Sequence, residues 1–423
     1  MTEIETSQKV NRTARLIFGG VILLSVGLLF GWSIFRDPLT AIFPEWTPTR
    51  ISITFTLSIV MNCIGGFTSG ILSSRIPYRT IVRIAVALII IGFVMITVLL
   101  DPSEEVRSLH ILYIFYGVIV GFGAGLAFNS IMSSVMRWYP DLSGMAAGIL
   151  MFGYGLGGMA LGSVVNGLAN NIGIINTFAV IGVIMAVIML VLSIPTRIPS
   201  ASELEKIAAA APVTRKASSG PQGSGRESTL TETMKSPAFW LLFFWGVTAA
   251  TCGMTVLNSA ANIADHFGAP ALLGLITTVF FSLGCLLLGY SFDRLGRRRA
   301  MLVNAAVLLI GGLSLTLGAI MYNVAFIFVG ISCIGFGFGG NPPMMSAATM
   351  SFFGAKHFAI NYATISFCLL VAAIIGPLLS SRLQEIAEGS YLPAFIMIII
   401  VSLINLVIVL VLNRMSKKRG LEK

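Results

Sequence analysis

Long apolar runs separated by short polar turns dominate the chain. Taken in order, the twelve runs fall at approximately 15–36, 51–73, 80–100, 109–136, 142–168, 174–195, 238–263, 271–292, 300–321, 324–350, 357–381 and 391–413. A helix needs about 20 apolar residues to cross a hydrocarbon core of about 30 Å. Every run reaches that length, so the pattern predicts an all-α membrane protein with twelve transmembrane helices, spans 1 to 12. One stretch departs from the rhythm. Residues 201–232 are rich in Ala, Ser, Gly, Lys, Arg and Glu, with Pro221-Gln222-Gly223-Ser224-Gly225 near the centre. Such a composition buries too little apolar surface to fold alone and is expected to be a flexible linker.

The linker leaves six spans on each side, and the two sets repeat one another. The turn after span 8 reads Gly289-Tyr290-Ser291-Phe292-Asp293-Arg294-Leu295-Gly296-Arg297-Arg298-Arg299, and the turn after span 2 reads Gly70-Ile71-Leu72-Ser73-Ser74-Arg75-Ile76-Pro77-Tyr78-Arg79. Glycine and two arginines coincide at an offset of 219 residues (70 to 289). In span 4, Gly121-Phe122-Gly123-Ala124-Gly125 matches Gly335-Phe336-Gly337-Phe338-Gly339 of span 10 at an offset of 214 (121 to 335). Asn129 and Asn341 then fall at similar depth. Glycines this dense let helix backbones approach closely in lipid, and span 5 carries its own set from Gly148 to Gly162. The expected organisation is therefore a tail (1–14), a six-helix half (15–196), a cytoplasmic linker (197–236), a second pseudo-symmetric six-helix half (237–413) and a basic tail (414–423). Parallel repeats of this kind place a substrate site between the halves near the bilayer midplane.

Charge fixes the expected orientation. Only 10% of the 423 residues are charged, against about 25% in a soluble domain. With the N-terminus inside, Arg36, Arg50, Arg107 and Arg382 are the only bases in outer loops. The net charge of +10 is then a positive-inside signal and no sign of nucleic acid. An even span count puts both termini in the cytoplasm of a plasma-membrane protein. The polar start and the span-length first run argue for a retained helix and against a cleaved leader.

The second hairpin resembles the G-x-x-x-D-R-x-G-R-R loop of the major facilitator superfamily at every defined position. The first departs at Ser74, Pro77 and Tyr78. Arg137-Trp138-Tyr139-Pro140-Asp141 with Gly144-Met145-Ala146-Ala147-Gly148, then Gly153-Tyr154-Gly155-Leu156-Gly157, Ser236-Pro237-Ala238-Phe239-Trp240 and Asn361-Tyr362, is similar to the oxalate/formate antiporter-like branch, which is related to the monocarboxylate transporters. The resemblance implies the major facilitator fold, alternating access, a small organic anion as cargo and often a monomer. It also implies a charge latch at the hairpins, drawn from Arg75, Arg79, Asp293, Arg294, Arg297 and Arg298, that favours the outward-open state. The cations of the oxalate carrier are missing, however. Its arginine in helix 8 aligns with Leu286 and its lysine in helix 11 with Leu369. Phe30, Phe128, Phe338 and Pro342 likewise stand where that carrier has Tyr, Tyr, Trp and Tyr. A dianion at midplane would leave a large desolvation cost unmet, so oxalate itself is not expected.

Intramembrane ionisable groups mark function by default, and none lies mid-span. All 17 acids sit in tails, loops or span ends, and His110, His266 and His357 are peripheral. A proton relay through the helices has no carrier, which favours exchange or facilitated diffusion unless the substrate brings its own proton. Arg36, beside Asp37 at the end of span 1, reads either as an interfacial snorkelling arginine or as an anion collector. The main neutral polar residues inside spans are Asn62, Asn129, Tyr154, Asn258, Ser282, Asn341, Tyr362 and Ser366; all but Asn62 are taken as candidates for substrate contact, with Trp32, Phe30, Phe128 and Phe338 as aromatic lining. Each polar group also has a bland reading as an interhelical hydrogen bond. The five cysteines lie in spans and read as packing residues. No metal, cofactor or catalytic motif is present, so an enzyme is not expected. The expected function is a secondary transporter of a small organic anion. Alternatives are an exporter of amphipathic or drug-like compounds and, further off, a transporter-like sensor.

Overall fold

The structure is a computed structural model that describes residues 3–210, 227–268 and 273–418. It is helical almost throughout, with no strand among the described residues. Eleven helices there are long and apolar enough to cross a membrane. One of them, Leu273–Met321, has 49 residues and turns at Gly296, with φ 78° and ψ 158°. At 1.5 Å per residue it is about twice a bilayer long. It is two crossings joined at the hairpin, spans 8 and 9, and the total is twelve. Only glycine adopts that backbone without strain, which explains Gly296 inside the run of arginines.

Spans 1 and 4 are irregular. The helical segment that carries span 1 runs from Glu3 to Ile42 and tightens into a 3₁₀ turn at Gly27–Gly31. Span 4 passes through a π-helical stretch at Tyr113–Val120. Mid-helix segments of both kinds mark hinges or functional positions. The expected linker is less plain than its composition suggests. Ala201–Ala210 is helical, as its Ala, Glu, Leu and Lys content favours, and Leu230–Lys235 is a short helix opened by a Thr229/Glu232 capping box. The central Pro221–Gly225 stretch and the C-terminal Arg419 lie outside the described residues.

The chain divides into two compact units: Met1–Trp138 with Gly153–Ser200, and Tyr139–Phe152 with Ala201–Lys423. Each repeats the same helix crossings. In the first unit a Cβ at Gly121 would meet the Ser58 carbonyl, and one at Gly125 the Asn62 carbonyl. In the second, Gly335 lies on the Thr277 carbonyl and Gly339 on the Phe281 carbonyl. Gly65 against Phe122 and Gly284 against Phe336 complete the pairs from the other side. These contacts pair spans 2 and 4, and spans 8 and 10, in one register. The sequence offsets of 214 and 219 are therefore physical. The same register separates Asn129 from Asn341. Asn129 is repeat-related to Pro343, and Asn341 to Ala127. The two amides share a depth but not a face, because two residues along a helix turn a side chain by about 200°.

Candidate functional site

In the first unit the polar candidates come together around span 5. Gly27 of span 1 packs on the Tyr154 carbonyl with no room for a side chain, which holds Tyr154 firmly. The Asn62 amide donates to the Tyr154 hydroxyl at 2.8 Å, and the Phe128 ring lies 4.7 Å from the Tyr154 ring. Asn129, on the same side of span 4 as Gly125, donates to the Gly66 carbonyl at 2.8 Å and accepts from Ser133 at 3.3 Å. Asn129 is thus a link between spans 2 and 4. Asn62, Phe128 and Tyr154 form the compact polar–aromatic cluster.

Trp32 sits just beyond the 3₁₀ turn of span 1. Its ring lies 4.5 Å from Tyr116 in the π-helical part of span 4, with Phe35, Phe93 and Phe178 stacked behind. The Trp32 indole N–H is buried without a partner among the described residues. Tyr116 is a residue that sequence reasoning missed, since a tyrosine in an apolar run carries no signal of its neighbours. The side chains of Phe30, Arg36 and Asn258 lie outside the described residues, so their candidate roles gain no geometry.

In the second unit the candidates divide. Phe338 lies over Gly253, where a side chain would collide with its ring, and 5.1 Å from Phe281. Leu369, the position aligned with a lysine in the resembling branch, packs into the same apolar cluster with Ala250 and Ala372. Ser282 and Ser366 turn their hydroxyls back onto the carbonyls of Thr278 and Tyr362 in their own helices, at 3.1 and 2.8 Å. Their protons are spent locally. Tyr362 stacks on Phe358, 5.4 Å between centroids. Asn341 is fully buried, and both of its amide atoms are without a partner among the described residues. It continues the face of Gly337, which packs on Val307 and Leu308 of span 9. Pro342 and Pro343 follow and can donate nothing to the carbonyls of Phe338 and Gly339. The middle of span 10 is therefore unusually polar on its backbone.

The two hairpins, after spans 2 and 8, differ as their sequences do. Asp293 accepts from the backbone N–H of Gly144 at 2.9 Å and of Met145 at 2.6 Å. These amides open the helix Ser143–Ile172, whose first turn has no acid of its own. A carboxylate there satisfies orphan donors and meets the positive end of the helix dipole. Gly144 and Gly289 face each other with no room for a Cβ on either, and Gly148 rests on the Cys285 carbonyl. Arg294 lies over Tyr290 and Arg297 over Phe352, at 5.3 and 4.2 Å from the ring centroids, while Arg298 is exposed. In the first hairpin Arg75 is exposed, Arg79 is half-buried and the Ser74 hydroxyl bonds the Ile71 carbonyl of its own helix. Ser74 carries no charge where the second hairpin has Asp293. Sequence reasoning placed Asp293 among its arginines and missed the backbone it binds.

Comparison with known proteins agrees with this architecture. The Major Facilitator Superfamily profile matches residues 11–377 and 246–423. An uncharacterized MFS-type transporter, YhjX, of Escherichia coli K12 is 25% identical over 367 residues, covering 85% of this chain and 86% of that one. The oxalate:formate antiporter of Oxalobacter formigenes is 22% identical over 382 residues, covering 86% and 83%. Among solved structures, the proton:xylose symporter XylE bound to 6-bromo-6-deoxy-D-glucose has a TM-score of 0.69 at 16% identity, covering 93% of this chain and 95% of that one. That likeness concerns the fold alone. The chain belongs to the Major Facilitator Superfamily: it is a multi-pass secondary transporter, not an enzyme.

Proposed function

We propose that this carrier moves a small organic anion bearing one carboxylate across the plasma membrane, by alternating access and in exchange for a second anion. The observation that carries this reading is the neutral interior. The candidates are an amide, a phenol and an aromatic ring (Asn62, Tyr154, Phe128) in one unit and, in the other, the buried Asn341 amide, without a partner among the described residues, on the same helix as Phe338 of the Phe281–Phe338 ring pair. Neutral N–H and O–H donors can replace the hydration of a single carboxylate or of a protonated acid. A dianion in the same place would need fixed cations, and Leu369 lies in an apolar cluster instead. In this reading both termini are cytoplasmic, and Asp293 on the start of span 5 is a conformational latch.

The test is uptake of labelled lactate, pyruvate, formate and oxalate into proteoliposomes, empty or preloaded. Signal for a monocarboxylate in preloaded vesicles alone supports exchange. Uptake into empty vesicles that grows with an inward proton gradient would mean that the substrate carries its proton. Movement of oxalate would overturn the one-carboxylate reading. If none of the four moves, amphipathic compounds come forward, a reading favoured by the Phe281–Phe338–Leu369 cluster. For the transported acid, Tyr154→Phe should raise the half-saturation concentration about threefold or more, the loss of one hydrogen bond. Unchanged kinetics would reduce Tyr154 to a helix-packing residue.

A further inference from the structure

The end of the linker is not loose. Its first described residue, Glu227, accepts from the Lys356 backbone N–H at 2.7 Å. The carboxylate fills the space beside Gly354, which adopts φ +82° and has no room for a Cβ there. Ser228 donates its N–H to the Phe353 carbonyl at 3.0 Å, and its own carbonyl accepts from the buried Asn361 amide at 3.0 Å. The chain then enters the capped helix Leu230–Lys235, where Thr233 is fully buried. Three polar bonds thus tie Glu227 and Ser228 to the end of span 10, the 354–357 turn and the first helical turn of span 11. Asn361, noticed in sequence only as part of a family resemblance, has this as its hydrogen-bonding role.

The attachment is polar and sits near water: Glu227, Thr229, Glu232 and Lys235 are exposed. Each such bond has a modest net value because water competes for both partners. An apolar dock would be permanent, whereas this one is fit to open. The repeat adds a second reason. In the second hairpin a carboxylate, Asp293, serves the backbone at the start of span 5. The repeat-related position in the first hairpin is Ser74, which serves its own helix. At the turn leading into span 11, the repeat counterpart of span 5, the carboxylate comes from the linker.

We propose that Glu227–Lys235 is a releasable strap. It holds the cytoplasmic turn between spans 10 and 11 in this conformation and lets go as a unit when that turn rearranges. Glu227 is its positioning residue, and Ser228 and Asn361 make the contact that Glu227 orients. The strap makes the linker a part of the working cycle rather than a passive tether.

Hydrogen exchange on the full-length carrier in lipid nanodiscs tests this without knowledge of the substrate. In the wild type, peptides covering 227–235 and 354–362 should open together, with matching exchange rates. Glu227→Ala should raise exchange in both by tenfold or more. Thr229→Ala, which removes only the local cap, should raise it in 229–235 alone. Unrelated wild-type rates in the two segments would overturn the proposal, and so would a Glu227→Ala variant with 354–362 unchanged. If Glu227→Ala does not insert, Glu227→Gln carries the same reading, since a neutral acceptor should still loosen both segments at least threefold. A threefold or larger change in turnover at constant half-saturation is expected for either variant in the vesicle assay, and unaltered turnover would overturn the role in the cycle. A failure of all four anions in that assay leaves the exchange result to decide the strap alone.

Discussion

Asp293→Asn should lower maximal exchange by about tenfold or more and leave the half-saturation concentration within about threefold. The carboxylate accepts two backbone N–H groups at the start of span 5, Gly144 and Met145. Bonds to a charged acceptor contribute about 1.5–3 kcal/mol each. Asn keeps one carbonyl oxygen, loses the charge and turns an N–H₂ toward an N–H donor. A loss of roughly 1.4 kcal/mol in one state of the cycle is already a tenfold change in its population. Neither amide belongs to the candidate substrate contacts, so affinity should hardly move. The measurement is initial-rate exchange across a concentration series in preloaded vesicles. Wild-type turnover in the variant would remove the latch role and leave Asp293 as a helix cap. Gly144→Ala serves as a steric companion. A methyl there meets the Gly289 carbonyl and should impair the same step with the charge intact.

Gly125→Ala and Gly339→Ala should each destabilise the carrier severely and to a similar extent. In both, the new Cβ would lie well inside contact distance of a backbone carbonyl, that of Asn62 or of Phe281. Backbone cannot step aside as a side-chain tip can, so the helices must separate. Overpacking costs about 1–3 kcal/mol in an ordinary core and more where relaxation is blocked. The helix-propensity gain of Ala over Gly recovers only about 1 kcal/mol. A net loss near 2–3 kcal/mol corresponds, at about 2.1 cal/mol/K of unfolding entropy per residue over a chain of this length, to a thermal midpoint lower by roughly 2–4 °C. Midpoints of detergent-solubilised protein, read by fluorescence-detected gel filtration, give the answer. Gly167→Ala is the control, because nothing lies within 4 Å of its added methyl, and it should hold or slightly raise the midpoint. Equal losses at 125 and 339 would confirm that the two crossings are copies. A normal midpoint in either variant would mean that its helices do not cross so closely in the membrane.

The amino-acid sequence by itself determined the twelve crossings, because a hydrocarbon core accepts only long apolar helices whose backbone groups are satisfied internally. It also determined the duplication. The glycines at 65, 121 and 125 reappear at 284, 335 and 339 because each crossing needs a residue without a side chain at the same contact. Both signals are local, and lipid enforces them wherever the chain goes. The helical ends of the linker were harder to see, since the Thr229 capping box is a short signal inside a polar composition.

Only the tertiary structure decided which groups meet. Asp293 finds its partners 149 and 148 residues away, and they are backbone amides, which every residue but proline possesses and which leave no mark in sequence. Glu227 finds another across 129 residues. The likeness of Asn129 and Asn341 dissolved for a related reason. Depth follows from counting along a helix, but the face a side chain takes depends on the register of the crossing, and two residues of shift separate a link to Gly66 from a buried amide with no partner among the described residues. Ser282 and Ser366 joined the candidates as polar residues in an apolar setting. Their hydroxyls were already satisfied by carbonyls one turn earlier, the ordinary fate of a lone serine in a helix with no water to bond.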